Sequence, residues 1–208
     1  ADSVLIWYED FRDDPPLPDS YWTALDGEWS VWQDEEENYR PYSQLEGYGR
    51  LALKYGSFTD LHLRAQMIFP EGFTGRAGIF LGNLFCCFNY EAQAVELYEG
   101  SVLKGSFATS FEKTPESEIR ASPYVYTIEL RKRGNKVRVY SGSSRTLRFT
   151  ATVNDTGGFT GIRSDSYVHC QLLRVGDAYT YEPYERFDVA MPDGSVASFG
   201  RIDRTDVT

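Results

Sequence analysis

The feature that most limits how this chain can fold is a strict two-residue alternation of apolar and polar side chains. In Thr59–Phe69, Leu61, Leu63, Ala65, Met67 and Phe69 share one parity, and Asp60, His62, Arg64 and Gln66 share the other. Successive side chains on a strand point to opposite faces, so this segment is expected to bury one face and wet the other. Tyr124–Leu130 repeats the pattern, setting Tyr124, Tyr126, Ile128 and Leu130 against Val125, Thr127 and Glu129. A turn at Arg133-Gly134-Asn135 leads into Lys136–Tyr140 with Val137 and Val139 inward, which predicts a β-hairpin. Leu147, Phe149 and Ala151 continue the inward series, Asn154–Gly158 turns, and Val168, Cys170 and Leu172 close it in a strand over Val168–Val175. Further strands are expected at Val4–Phe11, Glu28–Gln33, Leu51–Tyr55, Ala77–Leu81, Phe85–Leu97 and Ser101–Phe107. No segment carries a helical stripe. Short strands separated by Gly and Asn turns predict an all-β sandwich or barrel, and their half-polar character implies antiparallel pairing.

With 208 residues the chain can bury one sizeable core. Its 15 Tyr, 13 Phe and 4 Trp suit half-buried pleated surfaces, and most of these rings must be core. The formal charge is −10, and residues 1–50 carry the whole excess, with 13 acids against Arg12, Arg40 and Arg50. Such a chain repels phosphate backbones, which argues against nucleic acid and anionic membranes as partners. No apolar run is long enough to insert in a bilayer as a helix. The chain opens at Ala1-Asp2 without a leader, as a mature chain would. Cys86 and Cys87 are adjacent and poorly placed to bridge each other; Cys170 either pairs with one of them or stays a buried thiol. His62 and His169 are the only histidines, which leaves no zinc-site spacing, and both are expected on exposed strand faces.

Two units are expected. Residues 1–176 form the main domain, and residues 177–208 form a C-terminal hairpin extension or a linker to a further domain. In that extension Arg186–Met191 and Val196–Ile202 flank the turn Pro192-Asp193-Gly194-Ser195.

Several motifs, in order, resemble a known family. They are Asp10-Phe11, the run Trp22-Thr-Ala-Leu-Asp26-Gly27-Glu28-Trp29, Gly75-Arg76-Ala-Gly78-Ile79-Phe80-Leu81, Tyr90-Glu91-Ala-Gln93, the Tyr126–Tyr140 hairpin and the ending Gly158–Val175. Over residues 4–176 this resembles concanavalin A-like lectin/glucanase modules, as found in glycosidase-appended modules, 3-keto-disaccharide hydrolase-like domains and phage tail proteins. The resemblance implies a two-sheet antiparallel jelly-roll sandwich with the C-terminal hairpin appended. Where the 3-keto-disaccharide hydrolase-like pattern has an arginine after its Gly-Ile-Phe run, this chain has Gly82. The cationic group that would hold that substrate is missing.

Catalysis has one candidate pair. Glu91-Ala-Gln93-Ala-Val-Glu96 resembles the Glu-x-Asp-x-x-Glu strand of laminarinase-like retaining glycosidases, which would make Glu91 and Glu96 nucleophile and acid/base. That chemistry needs the two carboxyls about 5 Å apart. Five residues along a regular strand puts them on opposite faces, so a bulge is required. A binding site is the alternative, with His62, Arg64, Gln66, Arg76, Glu91 and Gln93 lining one concave sheet and reading sugar hydroxyls. A structural calcium ion is a further expectation, held by Asp10, Asp13, Asp14 and Asp177, because hard cations take carboxylate oxygens. The leading expectation is a non-catalytic, lectin-like carbohydrate-binding or adhesion module of a larger extracellular or virion-surface (phage tail) protein, with a cell-surface glycan as partner. The alternatives are a retaining glycoside hydrolase and a structural jelly roll that packs against further copies or neighbouring subunits.

Overall fold

The computed structural model describes residues 5–9, 21–34, 42–54, 56–176, 187–190 and 196–199. Twelve strands pair antiparallel: β1 Leu5–Glu9, β2 Trp22–Asp34, β3 Tyr42–Leu53, β4 Leu61–Ile68, β5 Arg76–Leu81, β6 Leu84–Asn89, β7 Ala94–Glu99, β8 Val102–Ala108, β9 Tyr126–Arg133, β10 Lys136–Ser141, β11 Thr146–Thr152 and β12 Thr160–Gly176. A single 3-10 turn, Glu116–Ala121, is the only helical element among the described residues.

β12 organises the rest. Its first residues, Thr160–Ser164, pair with β5 on one side and β3 on the other. From Val168 onward the strand pairs first with the start of β3 and then with β4 and β1. The register slips between Ser164 and Val168 and again between Cys170 and Leu172. Bulges of this kind bend a strand and raise its twist, so one strand serves two layers. One layer runs β2-β3-β12-β5-β6-β7-β8, and the other runs β1-β12-β4-β9-β10-β11. The free edges of the two layers meet where a Cβ added to Gly105 on β8 would lie 2.5 Å from the Phe149 ring of β11.

Between the layers lies the apolar core. Leu61, Leu63, Ala65 and Met67 of β4, with Ile128 and Leu130 of β9, face Ile79 and Leu81 of β5, Cys86 and Phe88 of β6 and Val95 and Leu97 of β7. These are the inward parities that the alternation predicts. An aromatic knot around Phe69 extends the core. Phe69 stacks on Tyr126 at 5.5 Å and meets Phe73 at 4.7 Å, while Phe88 and Phe111 are 5.0 Å apart. Such pairs add about 1 kcal/mol each beyond area burial. The two-sheet jelly roll expected from the sequence is what the chain adopts.

Several elements differ from expectation. β2 and β3 run well beyond Glu28–Gln33 and Leu51–Tyr55. The paired glycines Gly27 (φ 75°) and Gly49 (φ 91°) interrupt the alternation while backbone pairing continues through them. Phe85–Leu97 is not one strand, because a turn at Tyr90–Gln93, with Gln93 in the left-handed region (φ 48°), splits it into β6 and β7. β12 starts at Thr160, eight residues before its apolar pattern becomes legible at Val168. Leu147 points outward. His62 and His169, expected on wet faces, are only 2% and 3% exposed, because the outward face of β4, β9 and β12 is itself covered and holds paired charges.

All three cysteines are buried free thiols, and burial pushes Cys170 up to about 12 and raises Cys86 and Cys87 as well. They are unreactive at neutral pH. No helix among the described residues is long and apolar enough to cross a membrane. In the C-terminal region β13, Phe187–Ala190, pairs with β14, Val196–Phe199, as a separate two-stranded sheet in the predicted hairpin order.

Burial holds His169 at about 4 against its ordinary 6.5. Between those values the unfolded chain binds a proton that the folded chain refuses, so this stability is full above pH 6.5 and is lost as pH falls. Acidification from pH 7 to 4 should remove about 3 kcal/mol through this residue. Burial lowers His62 too and acts in the same direction. Urea unfolding of His169→Gln at both pH values should show a flatter pH dependence than the parent chain; an unchanged slope would show that His169 does not carry it.

Candidate ligand-binding site

The six binding candidates do not share a face. His62, Arg64 and Gln66 alternate on β4 with the core residues and lie on the outward face of their layer. Arg76 opens β5 in the other layer, and Glu91 and Gln93 sit in the turn between β6 and β7. The turn residues work locally. Glu91 Oε1 accepts the Gly75 amide at 2.6 Å. Gln93 donates from Nε2 to the Tyr90 carbonyl at 2.7 Å, and its Oε1 accepts the Phe111 amide at 2.7 Å. Gln93 therefore ties the β6–β7 turn to the segment after β8. Glu96 stands on β7, buried, with Oε2 accepting Asn89 Nδ2 at 2.9 Å and the Tyr98 hydroxyl at 2.7 Å. Burial and that bond to Glu96 raise the Tyr98 phenol. Glu91 and Glu96 thus belong to different elements, each committed to a different partner.

On the β4 face the charges are buried and mutually bonded. Glu129, 2% exposed, receives His62 Nε2 at 2.5 Å and Arg145 through Nε at 2.7 Å and Nη2 at 2.9 Å. Burial opposes ionisation of Glu129, but the bonds from His62 and Arg145 outweigh it and hold the carboxyl at about 2. Burial also lowers His62, against the pull of Glu129. A neutral imidazole that donates from Nε2, with Nδ1 turned toward Arg131 Nη2 at 3.5 Å, fits both. His62 is a member of this network.

The other layer carries an open pocket of about 350 Å3 lined by Asp26, Gly49, Arg50, Arg163, Ser164 and Asp165. None of these six was expected from the sequence. Asp26 follows a register slip in β2 and pairs directly with Arg50, on the rung next to the Gly27–Gly49 pair. Its carboxylate takes the Arg50 amide at 2.6 Å, Nε at 2.7 Å and Nη2 at 2.6 Å, and these bonds hold Asp26 below its ordinary range. Asp165 lies in the β12 bulge, where Oδ2 accepts Arg76 through the amide at 3.1 Å and Nε at 2.8 Å. Arg163 stacks on the buried Phe85 ring at 4.4 Å, and Arg76 lies 5.7 Å from the same ring and 5.2 Å from Tyr98. Next to the pocket in sequence, Tyr48 and Tyr167 pair at 5.1 Å, and the Tyr167 hydroxyl donates to Glu28 at 3.1 Å. Tyr167 is 49% exposed. Of the six expected binding residues only Arg76 borders this pocket.

No protein-family model and no curated protein matches the chain. Among solved structures, the carbohydrate-binding module CBM66 from Bacillus subtilis superposes with a TM-score of 0.56 at 13% identity, covering 78% of this chain and 100% of that one. A GH43B protein of a Bacteroides ovatus xyloglucan locus superposes with a TM-score of 0.51 at 8% identity, covering 85% of this chain and 40% of that one. The fold is the concanavalin A-like jelly roll. At these identities the likeness establishes how the jelly roll is built and leaves its chemistry to the residues present.

The calcium candidates Asp10, Asp13, Asp14 and Asp177 lie outside the described residues. Among the described residues, no group of three or more His, Cys, Asp or Glu is placed to hold a metal ion.

The structural role of Gln93 is testable. Gln93→Ala removes two hydrogen bonds and places alanine at positive φ, so it should cost about 2 kcal/mol in urea unfolding. Gln93→Gly, which relieves the backbone, should cost less. Equal losses would mean that the side-chain bonds alone matter.

Proposed function

We propose that this jelly roll is a non-catalytic carbohydrate-binding module and that the pocket between β2, β3 and β12 is its binding site. The observation that carries this reading is the geometry of Asp26–Arg50 and Asp165–Arg76. Each pair presents a planar acceptor and a planar donor, fixed in advance by the other, at an open pocket. Sugar hydroxyls both donate and accept, so a carboxylate beside a guanidinium can take both functions of a vicinal diol. Side chains already immobilised by an ion pair lose little entropy when a ligand arrives. The exposed Tyr167 ring, tilted 56° against the half-buried Tyr48, supplies apolar ring surface for a pyranose face. The likeness to CBM66, a protein described as a carbohydrate-binding module, supports the same reading.

A setting in a larger extracellular or virion-surface protein, such as a phage tail component, is part of this proposal, with a cell-surface glycan as partner. The hydrolase alternative gains nothing from the structure. Glu91 is used in a turn and Glu96 is bonded to Asn89 and Tyr98. The subunit-packing alternative rests on the β13–β14 sheet, since a two-stranded sheet is marginal in water and needs a surface to cover it.

A glycan array followed by calorimetry tests the assignment. Asp26→Ala and Arg50→Ala should each weaken binding of a captured glycan by at least ten-fold, about 1.4 kcal/mol. Glu91→Gln should bind like the parent chain. Incubation with β-glucans, chitin-type and galactan substrates should release no reducing ends; release that Glu91→Gln or Glu96→Gln abolishes would replace the binding reading with catalysis. Calcium is read on melting temperature. If the aspartates at 10, 13, 14 and 177 form a site, a hundredfold excess over Kd stabilises the fold by about 2.7 kcal/mol. Identical melting in millimolar calcium and in EDTA removes the ion from the proposal.

A further inference from the structure

The arginines at the pocket are not equally bonded. Arg50 is neutralised by Asp26 at 2.6 Å, and Arg76 by Asp165 at 2.8 Å. Arg163 lines the same pocket; its guanidinium lies 4.4 Å from the Phe85 ring centroid and acts on Asp26 through space, but among the described residues it makes no hydrogen bond or salt bridge. A guanidinium has five N–H donors in one plane and no acceptor. The contact with Phe85 engages the guanidinium by a cation–π interaction and uses none of its N–H donors, which remain available. Asp26 and Asp165, the two acids of the lining, already have their own arginines. Arg163 is thus the arginine of the lining whose N–H donors no carboxylate takes.

We infer that the pocket takes an acidic saccharide, with Arg163 receiving its anionic group, a carboxylate or a sulfate ester. This rests on the reading of the pocket as a glycan site and narrows it to a ligand class. A planar fork with unused N–H donors matches two oxygens of a carboxylate or sulfate in bidentate fashion, which is stronger and more directional than a bond to a hydroxyl. The sugar ring and its hydroxyls then fall to the flanking pairs, Asp26–Arg50 and Asp165–Arg76. Arg163 acts here as a specificity-determining residue.

The test is calorimetry on the full chain with tetragalacturonate, its methyl-esterified form, a sulfated galactose tetrasaccharide and its desulfated form. At least one charged ligand should bind ten-fold or more tighter than its neutral counterpart, and which one does so identifies the anionic group. Arg163→Gln should cost the charged ligand far more than its neutral counterpart, bringing the two to within about two-fold of each other. If Arg163→Gln does not fold, Arg163→Lys, which keeps the charge but loses the fork, should cost a carboxylate ligand about ten-fold. Charged and neutral ligands binding equally overturn the inference, as does a preference that survives these variants. In either case, binding lost on Asp26→Ala still supports the glycan module. Binding to no saccharide on the array or in this set removes both readings together.

Discussion

One constraint governs this molecule: a single strand has to serve two layers. β12 spans 17 residues and contributes its first part to the β2–β8 layer and its last part to the layer that contains β4 and β9. A regular strand cannot do this, because its pairing directions stay in one gently twisted surface. The slip between Ser164 and Val168 makes the change of layer. Across that slip Ser164 pairs with Gly49 and Val168 with Gly47, so the three residues Asp165, Ser166 and Tyr167 oppose the single residue Tyr48. Three residues packed against one leave side chains turned out of the ladder. They are the Asp165 that holds Arg76 and the Tyr167 that meets Tyr48. The bend that closes the sandwich is also what builds the pocket wall.

The two polar faces illustrate opposite uses of charge. On the β4 face Glu129 is almost fully buried, and an isolated carboxylate there would cost several kcal/mol. It persists because His62 and Arg145 bond it directly, and truncating either would strand a buried charge. The pocket pair is different. Arg50 and Asp26 are 46% and 47% exposed, and ion pairs this open contribute about 1 kcal/mol or less to stability. Stability therefore accounts for little of three short bonds onto one exposed carboxylate; on the proposed reading they hold the pair ready for a ligand.

The same contrast explains which parts were legible in the sequence. Alternation located β4, β9 and β10 and assigned Leu61, Leu63, Ile128, Val137 and Val139 to the core, since period two is a direct image of a half-buried strand. It failed where glycines broke the phase. Gly27 and Gly49 let β2 and β3 continue where an added Cβ would meet backbone, at 2.1 Å from the Tyr48 carbonyl oxygen for Gly27 and 2.4 Å from that of Asp26 for Gly49. Asp26, Arg50 and Arg163 therefore stood in stretches that looked irregular. His62, Arg64 and Gln66 were visible as a polar parity, but a parity reports only that a face is not the core. Whether Glu129 and Arg145 arrive to occupy it depends on long-range pairing of β4 with β9. Glu91 and Gln93 were misplaced for a local reason: Tyr90–Gln93 turns through a left-handed glutamine, a conformation the sequence does not advertise.

The charge distribution adds a selectivity argument that neither face supplies alone. The chain carries −10, all of it in excess within residues 1–50, yet Asp26 and Arg50 of that same stretch build the pocket beside Arg163 and Arg76. At physiological ionic strength charges act over about 8 Å, so a ligand seated in the pocket responds mainly to the charged groups that line it. A net charge of −10 opposes the approach of a long, dense polyanion such as nucleic acid to the chain as a whole. A saccharide with one acidic group per residue can place that group at Arg163 and keep neutral hydroxyls elsewhere. With Arg163 as the receiving group we propose, the arrangement would separate two kinds of anion by charge density rather than by sign. Salt should therefore have opposite effects on them. Screening weakens the short-range attraction of the seated group only modestly, while it relieves the long-range repulsion of the chain toward any anion that approaches it.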